Sequence, residues 1–323
     1  MTGWAIEAGG YHSGRMPGID LHAHTLYSDG TFTPRRSVGL ARERGLDVLA
    51  ITDHDTVDGL GEARAAGREL GVEVVPGIEF STVSDGEGVH VLCYLMDADD
   101  AELAAELQRL REDRYTRGER MVAKLQGLGH PISFERVREI AEGGTIVRPH
   151  VAQALVEAGV VPTLKDAFSE ELIGSGGRAY VEKHALAPVE ALRLIHRAGG
   201  VCVLAHPGTF RETNPVPAAL IEEMAAAGLD GIEASHPEHT EEVERRYVEM
   251  AESLGLLWTG GSDCHGDRYD PVRLGMRSTT REQFERLTAR AAELRAAVAG
   301  GSGARPAVGG TRRRPAPPGL AGR

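Results

Sequence analysis

The sequence predicts an α/β protein built on a parallel sheet or a barrel. Two observations lead to this class: short apolar runs recur along the chain, and amphipathic stretches separate most of them. Strands buried on both faces read as continuous apolar runs, and alternation with helices is typical of parallel sheets. The 323 residues, 41% of them hydrophobic, can bury one large core or two modest ones.

Seven apolar runs are the predicted strands, at residues 18–22, 46–52, 72–78, 89–95, 200–206, 229–235 and 256–262. The helix after the first run has a clear start, because Thr33 is a favoured N-cap residue and Pro34 suits the first helical position. A second helix, PVEALRLIHRAGG, is closed by glycine. These signals place helices between successive strands.

The alternation divides the chain into five segments. Residues 18–99 and 186–299 carry the predicted strands, whereas residues 100–185 are rich in Ala, Glu, Arg and Leu and predict a helical insertion, the cap. Residues 1–17 form a Gly-rich extension without periodicity. Residues 300–323 are Gly, Pro and Arg and are expected to be disordered, because they cannot bury a core.

Composition restricts the class of function. Lys and Arg number 36 against 48 Asp and Glu, a formal charge of -12, which disfavours stable binding to duplex nucleic acid but allows a small phosphate ligand. The three cysteines form no CxxC pair, which fits a reducing compartment. The sequence has no long apolar span and no secretory signal at its start, so we expect a cytoplasmic protein with no membrane partner.

Metal-ligand residue types recur where the predicted strands end. The motifs are DLHAHT with His22 and His24, YSDGT with Asp29, TDHDT with His54, GIEFS with Glu79, AHPG with His206, ASHPEH with His236 and His239, and SDCH with Asp263 and His265. Side chains at the carboxyl ends of barrel strands converge on one mouth. Each motif alone is weak, but their joint occurrence predicts a metal site of imidazoles and carboxylates.

His90 does not fit this pattern directly, because it begins its strand. We expect residues 79–95 to turn back on themselves, so that His90 lies near Glu79. The intervening STVSDGEG contains an Asp-Gly pair, which favours a hairpin. Cys264 lies between Asp263 and His265, so its side chain should point away from theirs.

Taken together, these motifs resemble the PHP family, named for polymerase and histidinol phosphatase. The resemblance covers about residues 18–290. It implies a distorted seven-stranded β/α barrel and a cluster of two or three divalent ions, with manganese expected and iron or zinc as alternatives. It further implies one ion on His22, His24, Glu79 and Asp263, a second on Glu79, His90 and His206, and a third on Asp29, His54 and His265. The family often has His at the position of Asp29.

The stretch from SDGTFTPRRSVGL to TDHDTVDGL and the cap motif VRPHVAQALVEAG resemble one subgroup more closely. That subgroup removes the 3′-phosphate from nucleoside 3′,5′-bisphosphates, and some members trim short RNA from the 5′ end. The resemblance implies a phosphate-ester substrate, a nucleotide or short RNA, bound by Arg148 and His150, with Arg178 and Lys183 as weaker candidates. His236 or His239 could donate the proton to the leaving oxygen.

Three alternatives remain open from the sequence. A histidinol-phosphatase-like enzyme shares the metal ligands, although the insertion favours the nucleotide phosphatase. A polymerase-linked proofreading exonuclease would require a polymerase region, which we do not expect. A metal-binding regulatory module without catalysis would be expected to lack a ligand, and no ligand position is missing.

Overall fold

The computed structural model describes residues 18–141, 146–182, 185–209 and 215–300. The predicted N-terminal extension, nearly all of the predicted tail and Lys183 lie outside these residues. No helix in the described part of the chain is long and apolar enough to cross a membrane.

Seven strands form a single sheet in sequence order. They are β1 (Gly18–Asp20), β2 (Leu46–Ile51), β3 (Glu73–Ser84), β4 (Glu87–Tyr94), β5 (Val201–Leu204), β6 (Gly231–Ser235) and β7 (Leu257–Gly260). All neighbours run parallel except β4, which is antiparallel to both β3 and β5. The predicted α/β class and the seven strands are therefore confirmed.

The first and last strands of the sheet meet just beyond their ends. The His24 N–H donates to the Cys264 carbonyl at 2.8 Å, and Ala23 forms a parallel bridge with Cys264. A longer bond of 3.4 Å joins the Leu21 N–H to the Gly260 carbonyl. Closure into a complete barrel stays a prediction, which these bonds support.

The hairpin of β3 and β4 forms as predicted. Asp85 and Gly86 occupy the turn with φ of 50° and 82°, the positive values that a two-residue type I′ turn requires. One expectation was wrong: Glu79 does not close its strand but lies inside β3, which continues to Ser84. The reason is the hairpin itself, because residues beyond Glu79 pair with β4 instead of leaving the sheet.

The helices of the described residues surround the sheet and form the cap. They are α1 (Pro34–Glu43), α2 (Leu60–Leu70), α3 (Ala101–Gly127), α4 (Phe134–Ile140), α5 (Arg148–Glu157), α6 (Leu164–Ala167), α7 (Pro188–Arg197), α8 (Ala218–Ala227), α9 (Glu241–Ser253) and α10 (Arg281–Ala299). Helix α1 begins as predicted, because the Thr33 side chain accepts from the Arg36 N–H and Pro34 is the first helical residue.

Buried apolar side chains form separate cores on the two faces of the sheet. Successive residues of β2 alternate between them, with Val48 and Ala50 in the core that includes α10, and Leu49 and Ile51 in the core shared with the outer helices. A third core unites the cap helices with each other. The cap thus has its own interior and presents a wall to the carboxyl ends of the strands.

Candidate metal centre

Four side chains from three parts of the sheet converge to form the first of three groups of candidate metal ligands. His22 and His24 follow β1, Glu79 lies in β3, and Asp263 follows β7. Both imidazole Nε2 atoms lie 3.0 Å from Glu79 Oε2, and they are 3.1 Å from each other. His24 Nε2 also lies 3.3 Å from Asp263 Oδ1. All four side chains are buried, and each offers a ligand atom within 4.8 Å of the others.

The second oxygen of Glu79 serves a second group. Oε1 lies 2.8 Å from His90 Nδ1 and 2.9 Å from His206 Nε2. The hairpin brings His90 to this place, as the sequence predicted. The two carboxylate oxygens of Glu79 therefore face two different groups of candidate ligands.

A third group forms on the other side of His24. His265 Nε2 lies 3.3 Å from Asp29 Oδ1, and His54 Nε2 lies 3.9 Å from Asp29 Oδ2. His24, Asp29, His54 and His265 offer ligand atoms that are mutually within 4.8 Å. The structure thus gathers every residue predicted as a metal ligand into one continuous cluster.

The ionised carboxylates of this cluster require positive charge, which a bound cation or protonated histidines can supply. Burial lowers the pKa of His54 to about 3, so its ring is neutral, yet its buried Nδ1 has no hydrogen-bond partner. Burial alone would also lower the pKa of His24, but Asp263 and Glu79 outweigh burial and raise it to about 10. Metal ions bind neutral imidazole and ionised carboxylate. A buried nitrogen without a hydrogen-bond partner, such as His54 Nδ1, is a candidate to bind such an ion.

The backbone at the cluster adopts conformations that non-glycine residues rarely take. His206, Asp263 and Asp55 have φ of 27°, 48° and 53°. Such residues persist only where surrounding contacts hold them, and they concentrate at functional sites. Cys264, between two cluster residues, packs into the outer core as its alternation predicted.

Comparison with known proteins identifies the family of this site. Residues 20–139 match the PHP domain. A 5′-3′ exoribonuclease of Haemophilus influenzae is 33% identical over 246 residues, covering 76% of this chain and 89% of that protein. A 3′,5′-nucleoside bisphosphate phosphatase of Chromobacterium violaceum is 33% identical over 251 residues, 77% of this chain and 88% of that protein.

The chain belongs to the PHP family. Its fold agrees with that assignment. A solved structure from Bifidobacterium adolescentis, provisionally named a metal-dependent phosphoesterase, superimposes with a TM-score of 0.77 at 35% identity, covering 85% of this chain and 97% of that one. The protein is therefore a metal-dependent phosphoric ester hydrolase.

One residue of this PHP site was missed from the sequence. Glu233 of β6 is fully buried, and its carboxylate accepts from His22 Nδ1 at 3.0 Å and from the His206 N–H at 2.9 Å. The first bond leaves the lone pair of His22 on Nε2, where the ligand groups meet. The signal was available, because a glutamate inside the apolar run LDGIEAS is costly unless paired.

The proton-donor role expected for His236 and His239 stays a prediction. Their hydrogen bonds favour a structural role instead. Neither side chain lines the cavity above the cluster. His236 Nδ1 accepts from the Glu238 N–H, while Nε2 faces Asp263 Oδ2 at 3.3 Å. His239 accepts from the Gly208 N–H and lies 2.7 Å from the Ala234 carbonyl. These contacts fit positioning of Asp263 and of the surrounding loops.

A cavity of about 870 Å³ lies between the PHP metal cluster and the cap. Three arginines of the cap line it, Arg114, Arg117 and Arg148. Arg148, at the start of α5, also lies 5.5 and 5.8 Å from the ring centroids of Phe168 and Tyr180. Burial lowers the pKa of Arg117, as do the charges of Arg148 and Arg114. The wall opposite the ligands therefore concentrates positive charge.

The other predicted phosphate contacts are placed differently. His150 is buried beneath the start of α5, where its Nδ1 accepts from the Val147 N–H at 3.3 Å. Arg178 is exposed, pairs with Glu171 and does not line the cavity. The sequence could not indicate which way the side chain of Arg178 turns.

A further group of His196, Cys202 and Asp230 has metal-ligand spacing outside the cavity. Its carboxylate is already neutralised, because Arg290 Nε donates to Asp230 Oδ1 at 2.8 Å. Asp230 also accepts from the Cys202 N–H and faces His196 Nε2 at 2.8 Å. We interpret this group as a structural tie between α10, α7 and the sheet.

Proposed function

We propose that this protein hydrolyses the 3′-phosphate of nucleoside 3′,5′-bisphosphates, yielding nucleoside 5′-monophosphates. The observation that carries the proposal is the pairing of two anion-binding features across one cavity, a metal-ligand cluster below and cap arginines above. A substrate with two separated phosphates suits such a cavity. The proposal agrees with the name of the Chromobacterium violaceum relative.

The cluster would hold two or three divalent ions. We propose manganese, because mixed imidazole and carboxylate ligands suit Mn, Fe or Zn better than magnesium. When bound, such ions supply positive charge to the phosphoryl oxygens and lower the pKa of an attacking water. The chain's own contribution is to keep His22, Glu79 and their neighbours buried and converging.

Two of the cap arginines, Arg117 and Arg148, would select the second phosphate. A guanidinium can grip a phosphate with two parallel N–H bonds, which fixes position as well as adding energy. Arg117 donates one N–H to the Val181 carbonyl at 2.6 Å, which holds its side chain at the cavity wall. A phosphate dianion between Arg117 and Arg148 would also relieve the repulsion between the two cations.

We further propose activity on short 5′-phosphorylated RNA. The first internucleotide phosphate of such an RNA bears the same relation to its 5′-phosphate as the two phosphates of a 3′,5′-bisphosphate. One pair of anion sites can therefore accept both substrates. The Haemophilus influenzae relative is named for an exoribonuclease of this polarity.

The test is phosphate release by Mn-loaded protein from 3′-phosphoadenosine 5′-phosphate, with AMP and histidinol phosphate as controls. We expect release from the bisphosphate alone, with AMP as product. A 5′-phosphorylated dinucleotide in the same assay tests the RNA activity. Release from histidinol phosphate only would indicate the alternative phosphatase, and release from none would overturn the substrate assignment.

The arginine contribution is tested with Arg148→Ala. We expect kcat/KM for the bisphosphate to fall about 10–100-fold, since a charge-assisted bond to a phosphate contributes roughly 1.5–3 kcal/mol. Hydrolysis of p-nitrophenyl phosphate should change little, because it has no second phosphate. Arg136→Ala is the control, since Arg136 lies on α4 of the cap but pairs with Glu139 and Glu157 at the exposed surface. An equal loss on both substrates would contradict the assignment of Arg148.

A further inference from the structure

The cap contacts the metal cluster through one buried ion pair. Arg114, in the middle of α3, donates from Nη2 to Asp55 Oδ2 and to Ser81 Oγ, the latter at 2.5 Å. The Asp55 side chain is fully buried, and that of Arg114 is 15% exposed. One guanidinium of the cap thus contacts both the loop after β2 and a residue inside β3.

Asp55 lies between two metal-ligand residues. It directly follows His54, and its own N–H donates to the Glu79 carbonyl at 3.2 Å. Its Oδ1 accepts from the Ser81 N–H at 2.9 Å, so it also fixes the segment after Glu79. The positive φ of 53° shows that these contacts hold Asp55 in a conformation it rarely adopts by itself.

We propose that Arg114 is a positioning residue for the metal centre, acting through Asp55 to hold His54 and Glu79 in their ligand geometry. The cap is then part of the metal site as well as its cover. The inference rests on the proposed ligand set. Without Arg114, a buried carboxylate beside the cluster would lack its cationic partner and would turn towards the bound ions or take up a proton.

The same contacts separate Arg114 from the other arginines of the cavity. Its charge is matched by Asp55, a buried carboxylate, whereas Arg117 donates to a neutral carbonyl. Arg114 would have to break its ion pair with Asp55 before it could bind a phosphate. Arg114 therefore serves the ligands rather than the substrate.

A matched control lies one turn earlier on the same helix. Arg111 Nη1 donates to Asp58 Oδ2 at 2.5 Å, and Asp58 follows Asp55 by three residues. Both side chains of this pair are largely exposed, at 41% and 50%. Exposed pairs contribute little, so Arg111→Gln should leave the metal centre unchanged.

The experiment measures metal content and affinity of the full chain by equilibrium dialysis against Mn²⁺ with mass spectrometry. Supporting contacts to metal ligands typically change affinity 10–100-fold. We expect a loss of that size in Arg114→Gln, partial recovery in Arg114→Lys, and no change in Arg111→Gln. Circular dichroism at the same temperature confirms that each variant is folded.

Two results would overturn the proposal. One is full metal content in Arg114→Gln with a raised KM, which would make Arg114 a substrate contact. The other is equal metal loss in Arg111→Gln, which would indicate a general effect of α3. If Arg114→Gln does not fold, the double variant Asp55→Asn, Arg114→Gln removes both buried charges and should fold with weakened metal binding, whereas wild-type affinity would contradict the proposal. Wild-type protein that binds no Mn²⁺ would instead refute the ligand set.

Discussion

Glu233 sets the tautomer of His22, a candidate metal ligand. Its pKa is lowered, because the charges of His22, His236 and His206 outweigh burial, so the carboxylate is ionised and can only accept from His22 Nδ1. A carboxylate behind a ligating imidazole fixes ring orientation and raises basicity. We expect Glu233→Gln to lower Mn²⁺ affinity about 10–100-fold, measured by competition with a fluorescent chelator.

The control for Glu233 is Glu238→Gln. Glu238 lies beyond the end of β6 and pairs with Arg273 at 3.1 Å, away from His22. The affinity of the Glu238→Gln variant for Mn²⁺ should equal that of the wild type. Unchanged affinity in Glu233→Gln would show that His22 keeps its orientation without the carboxylate.

Single residues could be predicted where burial itself is the signal. A histidine or carboxylate directly after an apolar strand, such as His22 or Asp263, needs a compensating partner, and so the sequence indicated which residues to consider as ligands. Arg114 could not be found this way. It lies in a charged helix, and its partner Asp55 is 59 residues away. Only the docking of the cap distinguishes it from exposed Arg111.

At the scale of elements, the β3–β4 hairpin shows how a local signal determines a distant contact. The Asp-Gly turn predicted that His90 would return towards Glu79, and their side chains meet at 2.8 Å. The length of β3 was not predicted. Its extension to Ser84 depends on pairing with β4, which apolar periodicity alone does not limit.

The first turn of helix α5 contains a buried neutral histidine, His150. Burial and the charge of Arg268 lower the pKa of His150 to about 4, whereas a histidine in an unfolded chain has a pKa near 6.5. The unfolded state therefore binds the extra proton first as pH falls. The stability that neutral His150 contributes is complete above about pH 6.5 and is lost as pH falls towards 4.

We expect His150→Gln to reduce this acid sensitivity. Glutamine at this position is neutral and can still close the capping box with the Val147 N–H. Between pH 6.5 and 4 the wild type should lose up to about 3 kcal/mol more unfolding free energy than the variant. Urea titrations of metal-free protein at several pH values measure this, and parallel losses in the two proteins would show that His150 is not the titrating group.

At the scale of the whole molecule, two levels of predictability can be distinguished. The α/β class and the seven strands follow from patterns that each segment carries locally. The orientation of the cap over the sheet depends on side chains such as Arg114 and Arg148, whose partners lie far away in sequence. The candidate metal ligands predicted from the sequence therefore lie together, whereas the predicted phosphate contacts do not, since Arg178 is exposed and pairs with Glu171.

Metal removal should destabilise the entire chain, because the ligands come from segments between His22 and His265. A ligand present at 1,000 times its Kd stabilises the folded state by about 4 kcal/mol. For a chain of this size we expect EDTA to lower Tm by roughly 6 °C, since each kcal/mol corresponds to about 1.5 °C. Glu79→Gln, which removes the carboxylate shared by two candidate ligand groups, should show a much smaller shift.

The size of this shift should depend on pH in a defined direction. The pKa of His24 is raised to about 10 without metal, so a proton on His24 partly replaces the missing positive charge. That stabilisation is complete below the unfolded pKa near 6.5 and is lost as pH rises towards 10. Metal should therefore raise Tm more at pH 9 than at pH 7, measured by scanning fluorimetry with and without Mn²⁺. A metal-induced shift that is equal at both pH values would mean that protons do not substitute for ions in this cluster.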